Sequence, residues 1–185
     1  MGGIGRTEGS IMTAQPKPTK LTTNPDLHRQ VIDSPVGELT LVATDTALVA
    51  VLWPQERDGR VRFSPELVDG ENAVLSDATS QLAEYFDGAR RSFDVPLDLR
   101  GTEFQQQVWR SLANIPYGET STYGKQAAAI GRPRSVRAVG SANGRNPLSI
   151  VLPCHRIVGA DGKLTGFAGG LDAKRWLLDH EASDT

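Results

Sequence analysis

Residues 123–144, YGKQAAAIGRPRSVRAVGSANG, read as two short helices joined by a tight turn. The first fits Tyr123 to Ile130; Gly131 stops it and Pro133 breaks the chain. Ser135 stands where it can cap a second helix running to about Asn143. This length matches a helix-turn-helix, although most short helix pairs are only packing units. The second helix is the more informative. Ala138, Gly140, Ser141, Ala142 and Gly144 are small, and Arg137 is its single long side chain. An ordinary helix is about 10–12 Å across, whereas a B-form minor groove is only about 6 Å wide. A helix without bulk can approach the floor of an opened groove. Close packing against another helix favours the same small residues.

Helices continue on both sides. Thr102 can cap a helix that begins at Glu103, with Phe104, Val108 and Leu112 as its apolar stripe and Pro116-Tyr117-Gly118 as its end. A last helix fits Leu171 to Glu181, with Leu171, Leu177 and Leu178 turned inward. Before residue 100 the pattern changes. Residues 31–53, VIDSPVGELTLVATDTALVAVLW, read as a small antiparallel meander with turns at Pro35-Val36-Gly37 and Thr44-Asp45-Thr46. A polar connection runs from Pro54 to about Asn72, a helix fits Ala73 to Phe86, and FDVPLDL (93–99) reads as a short strand. Residues 1–27, rich in Gly, Pro, Thr and Lys, read as a disordered leader. The expectation is an α+β chain, with an N-terminal β-containing domain over 28–99 and a mainly helical domain over 100–185.

Hydrophobic residues are 38% of the 185, enough for a proper core. There is no apolar run long enough to span a membrane and no signal-peptide pattern at the start. One cysteine cannot form an internal disulfide, which fits a reducing cytoplasm. His28, His155 and His180 show no metal-ligand spacing, so no metal is expected. The net charge of −2 is unevenly placed. Residues 1–100 hold 10 basic and 15 acidic residues, a balance of −5; residues 101–185 hold 10 basic and 7 acidic, a balance of +3. Tyr123 to Ala160 holds six basic residues and no acidic one, an excess that suits a polyanion or simply a solvated surface.

The single cysteine, Cys154, lies in LPCHRIVG (152–159). A lone cysteine is usually an inert core residue. Here His155 is adjacent, Arg156 and Arg145 add positive charge, and Pro147 and Pro153 stiffen the approach, all of which favour a reactive thiol. Neighbouring side chains often diverge, so adjacency leaves two arrangements open: direct contact of imidazole and sulfur, or action through a water. As a base it needs its own orienting acceptor, for which Glu181 and Asp179 are candidates.

Residues 137–181, RAVGSANGRNPLSIVLPCHRIVGADGKLTGFAGGLDAKRWLLDHE, strongly resemble the O6-alkylguanine-DNA alkyltransferases. Members of that family carry RAVG, an Asn-Pro pair, PCHR, a Gly-Gly turn and a final helix ending in glutamate. The ordered motifs cover roughly 102–181. The resemblance implies a small RNase H-like antiparallel-sheet N-terminal domain and a helical C-terminal domain with a winged-helix-like helix-turn-helix. It implies Cys154 as alkyl acceptor, His155 as base through a water, Glu181 orienting it and Asn146 as hinge. Tyr123 would press on the target phosphate and Arg137 would fill the gap in the base stack. Ser135, Ala138 and Ser141 would face DNA. The carbonyls of Ile157 and Cys154 would read the guanine edge, beside a pocket loop of Phe167, Ala168 and Gly169. Some members have Tyr and Ser where this chain has Phe167 and Ala168, which bears on the range and rate of substrates.

The implied function is single-turnover removal of alkyl groups from O6-alkylguanine, and from O4-alkylthymine, in duplex DNA bound through the minor groove. No cofactor is implied, and the protein would be a monomer, with cooperative assembly on DNA left open. Three rival classes fit less well. Alkyltransferase-like binding proteins lack the cysteine. Cysteine hydrolases bring the histidine from a distant segment. Regulatory members carry an extra zinc domain.

Overall fold

Short apolar runs, Leu39–Ala43 and Leu48–Leu52, buried on both faces, fold the N-terminal part around a small sheet. In the computed structural model, which describes residues 27–55, 60–61, 63 and 67–183, the strands are β1 (Leu27–Ile32), β2 (Leu39–Ala43), β3 (Leu48–Leu52) and β4 (Leu67–Asp69). Their order across the sheet is β3-β2-β1-β4. β1 pairs antiparallel with β2 (Val31 opposite Thr40), and β2 with β3 (Leu41 opposite Val51). The meander is therefore as expected, but β4 pairs parallel with β1, so the sheet is mixed. β4 falls inside the stretch read as a polar connection. Leu27, assigned to the leader, is the first residue of β1 and fully buried. The rest of the leader lies outside the described residues.

Leu39, Leu41 and Ala43 face the main core, where α1 (Ala73–Phe86) packs with Leu75, Ala78 and Leu82. Val42, Ala50 and Leu52 point to the other face and are covered by Val61, Phe63 and Leu67. Asn72 caps α1 by accepting from the Leu75 N–H at 2.9 Å. Residues 93–99 do not form the predicted strand. They add only a bridge, Leu48 to Leu97, because Pro96 has no N–H to continue a ladder.

The second half holds α2 (Glu103–Leu112), β5 (Ser121–Thr122), α3 (Tyr123–Ala129), α4 (Val136–Asn143), a 3₁₀ turn (Cys154–Arg156), β6 (Ile157–Val158) and α5 (Gly170–Ser183). Thr102 and Gln105 form a full capping box on α2. Gly131 ends the α3 turn at φ +73°, in the left-handed region that glycine tolerates. The Trp109 indole N–H donates to the Ala142 carbonyl at 2.8 Å and ties α2 to α4. In α5 the inward face differs from the expected one. Ala173, Lys174, Leu177 and Glu181 are buried, while Leu171 is 45% exposed and Leu178 only half-buried. Positions 173/174, 177 and 181 share one helical face, which Leu171 at the first turn does not. Among the described residues no helix is long and apolar enough to cross a membrane.

Candidate active site

The segment that leads to the cysteine is held from several directions. The Val51 N–H of β3 donates to the Pro147 carbonyl at 2.8 Å, so the N-terminal sheet grips the chain just past Asn146. Asn146 is fully buried. Its Nδ2 donates to the Leu152 carbonyl at 2.8 Å and its Oδ1 accepts the Leu148 N–H at 3.0 Å, which closes the loop on itself. Its carbonyl accepts from Arg60 Nη1 at 2.7 Å. Within the loop Ile150 sits at φ +71°, a rare conformation for a β-branched residue, so the surroundings hold the backbone in a strained form. Past the 3₁₀ turn, β6 pairs parallel with β5, Ser121 opposite Ile157, and so brings Tyr123 beside the cysteine segment.

Glu181 collects five donors on one carboxylate. Oε1 accepts from His155 Nε2 at 2.7 Å, from the Tyr85 hydroxyl at 2.7 Å and from Arg156 Nη2 at 3.0 Å. Oε2 accepts from Arg156 Nε at 2.8 Å and from the Gly118 N–H at 3.2 Å. Burial opposes its ionisation, but the donors His155 and Arg156 win and hold its pKa at about 2. The carboxylate assigns the Nε2–H tautomer to the imidazole. Nδ1 is buried and has no partner among the described residues. Burial lowers the His155 pKa despite Glu181, so the ring rests neutral near pH 7. Of the two acceptors considered for His155, the structure selects Glu181; Asp179 is exposed.

The thiol environment differs from the sequence expectation. Burial raises the Cys154 pKa, opposed by the Asn146 side chain and the charges of Lys174 and Arg60. Arg156 turns its donors to Glu181 and to the Ile115 carbonyl, the latter at 2.6 Å. Arg145 is exposed. The resting cysteine is therefore a protonated thiol that needs a base.

Cys154 opens into a cavity of about 790 Å³. Tyr123, Gly140, Phe167, Ala168 and Gly169 line it. The Tyr123 hydroxyl hydrogen-bonds with Thr165 Oγ1 at 2.9 Å. The Ile157 carbonyl already accepts from Lys174 Nζ at 2.5 Å, and the Cys154 carbonyl from the Ile157 N–H. A carbonyl has two lone pairs, so each keeps one acceptor site.

On α4, Val139, Ala142 and Asn143 face the core, while Arg137, Ala138 and Ser141 are exposed. Ser135 occupies the N-cap position but its side chain makes no cap bond, since its backbone is not extended (φ −98°, ψ 26°). Lys125, Arg132, Arg134, Arg137 and Arg145 are exposed; the sixth basic residue of that stretch, Arg156, is buried.

Sequence reasoning missed Tyr85, Lys174 and Trp53, the last of which also lines the cavity, and the pairing of Arg156 with Glu181. Tyr85 and Trp53 come from the N-terminal domain and carry no motif. Lys174 is fully buried, donating to the Ile157 carbonyl and to the Thr165 carbonyl at 2.9 Å. The one available signal was its spacing of seven residues from Glu181, which puts both on one face of α5.

Family models match both halves of the chain. Residues 27–99 match the ribonuclease-like domain of 6-O-methylguanine DNA methyltransferase, and residues 103–183 its DNA binding domain. A methylated-DNA–protein-cysteine methyltransferase of Mycobacterium bovis is 48% identical over 159 residues, covering 85% of this chain and 93% of its own. One from Methanosarcina acetivorans is 45% identical over 157 residues, covering 85% and 99%. Among solved structures, that of Mycobacterium tuberculosis OGT in complex with DNA superposes with a TM-score of 0.78 at 47% identity, over 85% of this chain and 94% of that one. A buried Cys-His-Glu arrangement beside a cavity, on this two-part fold and at this identity, leaves one conclusion: the chain belongs to the methylated-DNA–protein-cysteine methyltransferase family.

Proposed function

We propose that this chain repairs duplex DNA by taking the alkyl group of O6-alkylguanine onto Cys154, once per molecule. The observation that carries the reading is the buried link from His155 Nε2 to Glu181 Oε1 at 2.7 Å, next to a thiol that opens into a cavity. Glu181 stays ionised and holds the proton of His155 on Nε2. That leaves Nδ1 as the basic atom. It accepts the Cys154 proton through a bridging water. The thiolate attacks the alkyl carbon, an S–C bond forms, and the C–O6 bond breaks. The electron pair leaves with the base, which takes up a proton to become guanine. The thioether has no second thiol or cofactor to reverse it, so the protein is consumed.

The substituted base must leave the stack to reach Cys154. The exposed face of α4 supports entry through the minor groove, since Ala138 and Ser141 are small there and Arg137 can fill the space of the extruded base. Ser135 lies at the start of that face and Tyr123 beside the cavity, where it would press on the target phosphate. Ile157 and Cys154 would read the guanine edge through their carbonyls, and Phe167, Ala168 and Gly169 would hold the alkyl group. Asn146 fixes the loop between α4 and the cysteine. O4-alkylthymine presents the same alkyl–oxygen bond and would be a second substrate. The protein acts as a monomer on one lesion.

The deciding experiment is intact-mass analysis after mixing with a duplex containing O6-methylguanine. One added methyl, mapped to Cys154, is expected. Binding to the duplex without any gain in mass would reduce the protein to a lesion-binding module.

A further inference from the structure

The cavity that holds Cys154 is walled by both domains. Val36, Trp53, Pro54 and Gln55 contribute from the N-terminal domain. Trp53 is the largest side chain in the lining. It follows β3, two residues after Val51, whose N–H is bonded to the Pro147 carbonyl, so its backbone is fixed relative to the cysteine segment. The indole meets the Phe167 ring edge-on, with centroids 5.4 Å apart and planes at 69°. It also lies directly over Gly169. A Cβ at that position would come within 2.6 Å of Trp53 Cδ2 and Cε2, closer than atoms in contact can approach. The pocket loop is thus pressed against the indole by Phe167 on one side and Gly169 on the other. The space that a side chain at 169 would use is filled by Trp53 instead.

We propose that Trp53 sets the upper size of the alkyl group that reaches Cys154, acting as a rigid wall contributed by the N-terminal domain. The inference rests on the reading of Cys154 as alkyl acceptor. An indole is larger than a phenyl ring, so its removal opens room that a benzyl group can use and a methyl group cannot.

The test compares wild type, Trp53→Ala and Trp53→Phe on one duplex carrying either O6-methylguanine or O6-benzylguanine. Base extrusion is common to both lesions, so the ratio of benzyl to methyl second-order rate constants isolates the pocket. A single methylene in an apolar pocket changes such ratios by roughly 10–200-fold. Trp53→Ala should therefore raise the ratio by at least about tenfold, and Trp53→Phe should raise it less, in the same direction. Ratios equal to wild type in both variants would overturn the proposal. So would a lowered ratio, which would mean that the indole attracts the benzyl group. If Trp53→Ala does not fold, the ratio for Trp53→Phe decides the matter alone. Wild type that gains no methyl on Cys154 refutes the functional reading itself, whereas transfer with an unchanged ratio refutes only the wall.

Discussion

The Tyr85 hydroxyl donates to Glu181 Oε1 at 2.7 Å, across 96 residues of chain and from the helix that backs the N-terminal sheet. The same oxygen holds His155, so the N-terminal domain is bonded to the carboxylate that orients the imidazole of the C-terminal one. Tyr85 is fully buried, and burial beside Glu181 raises its pKa, which keeps it a neutral donor. Tyr85→Phe removes this donor and leaves His155 and Arg156 on the carboxylate. Stability should fall by about 1–3 kcal/mol. At roughly 2–4 °C per kcal/mol for a chain of this size, the loss is readable as a Tm shift. Alkyl transfer should slow less than in Glu181→Gln. An unchanged Tm would mean that the bond contributes nothing.

Glu181 also predicts an acid response. Its folded pKa of about 2 lies below the ordinary 4.5, so its contribution to stability is full above 4.5 and is lost as pH falls from there through about 2. Denaturant unfolding of wild type and Glu181→Gln across that window should show the gap between them closing toward low pH. A constant gap would remove Glu181 from the explanation.

Lys174→Met keeps the length of the side chain but leaves the carbonyls of Ile157 and Thr165 without their buried donor. Each orphaned group costs about 1–3 kcal/mol. The thiol also loses a charge that lowers its pKa. Both Tm and the rate of alkyl transfer should fall, and the rate–pH profile should move to higher pH. A fall in Tm with an unmoved profile would limit Lys174 to holding the backbone.

Cys154→Ser should end transfer and keep binding to duplex DNA, because a serine hydroxyl is far less ionised and nearly the same size. Affinity should drop as salt rises, since phosphate contacts release counterions. Salt-independent binding, or transfer near the wild-type rate, would contradict the mechanism.

Arg137→Ala separates flipping from chemistry. Arg137 is exposed on α4 and is not among the residues that line the Cys154 cavity. Unstacking a base costs a few kcal/mol and each 1.4 kcal/mol is about tenfold, so repair of duplex should slow by about tenfold or more. Reaction with free O6-benzylguanine, which needs no flipping, should be nearly unaffected. Equal losses on both substrates would assign Arg137 to the fold.

Local chemistry was enough to read much of this protein from its sequence. The Thr102 cap, the Gly131 stop and the turns at Pro35-Val36-Gly37 and Thr44-Asp45-Thr46 are decided by neighbours a few residues apart, and the helices and the meander follow from them. Cys154, His155, Asn146 and the small outer face of α4 stand in a contiguous run, so the sequence alone could single them out as one candidate site. The electrostatics could not. Asp179 and Glu181 are two residues apart, which is roughly 200° around a helix, and only the packing of α5 decides which one meets His155. Arg156 reads as surface charge and is buried against Glu181; Leu171 reads as core and is exposed. The buried Lys174, the Tyr85 bond and the Trp53 wall depend on how two domains and a strained loop meet, and the thiol pKa rises because that meeting removes water. Sequence alone determined which reactive groups the chain carries and which helices and turns present them. Tertiary structure decided which of those groups touch and which lose their solvent, because both depend on long-range packing angles that no local propensity encodes.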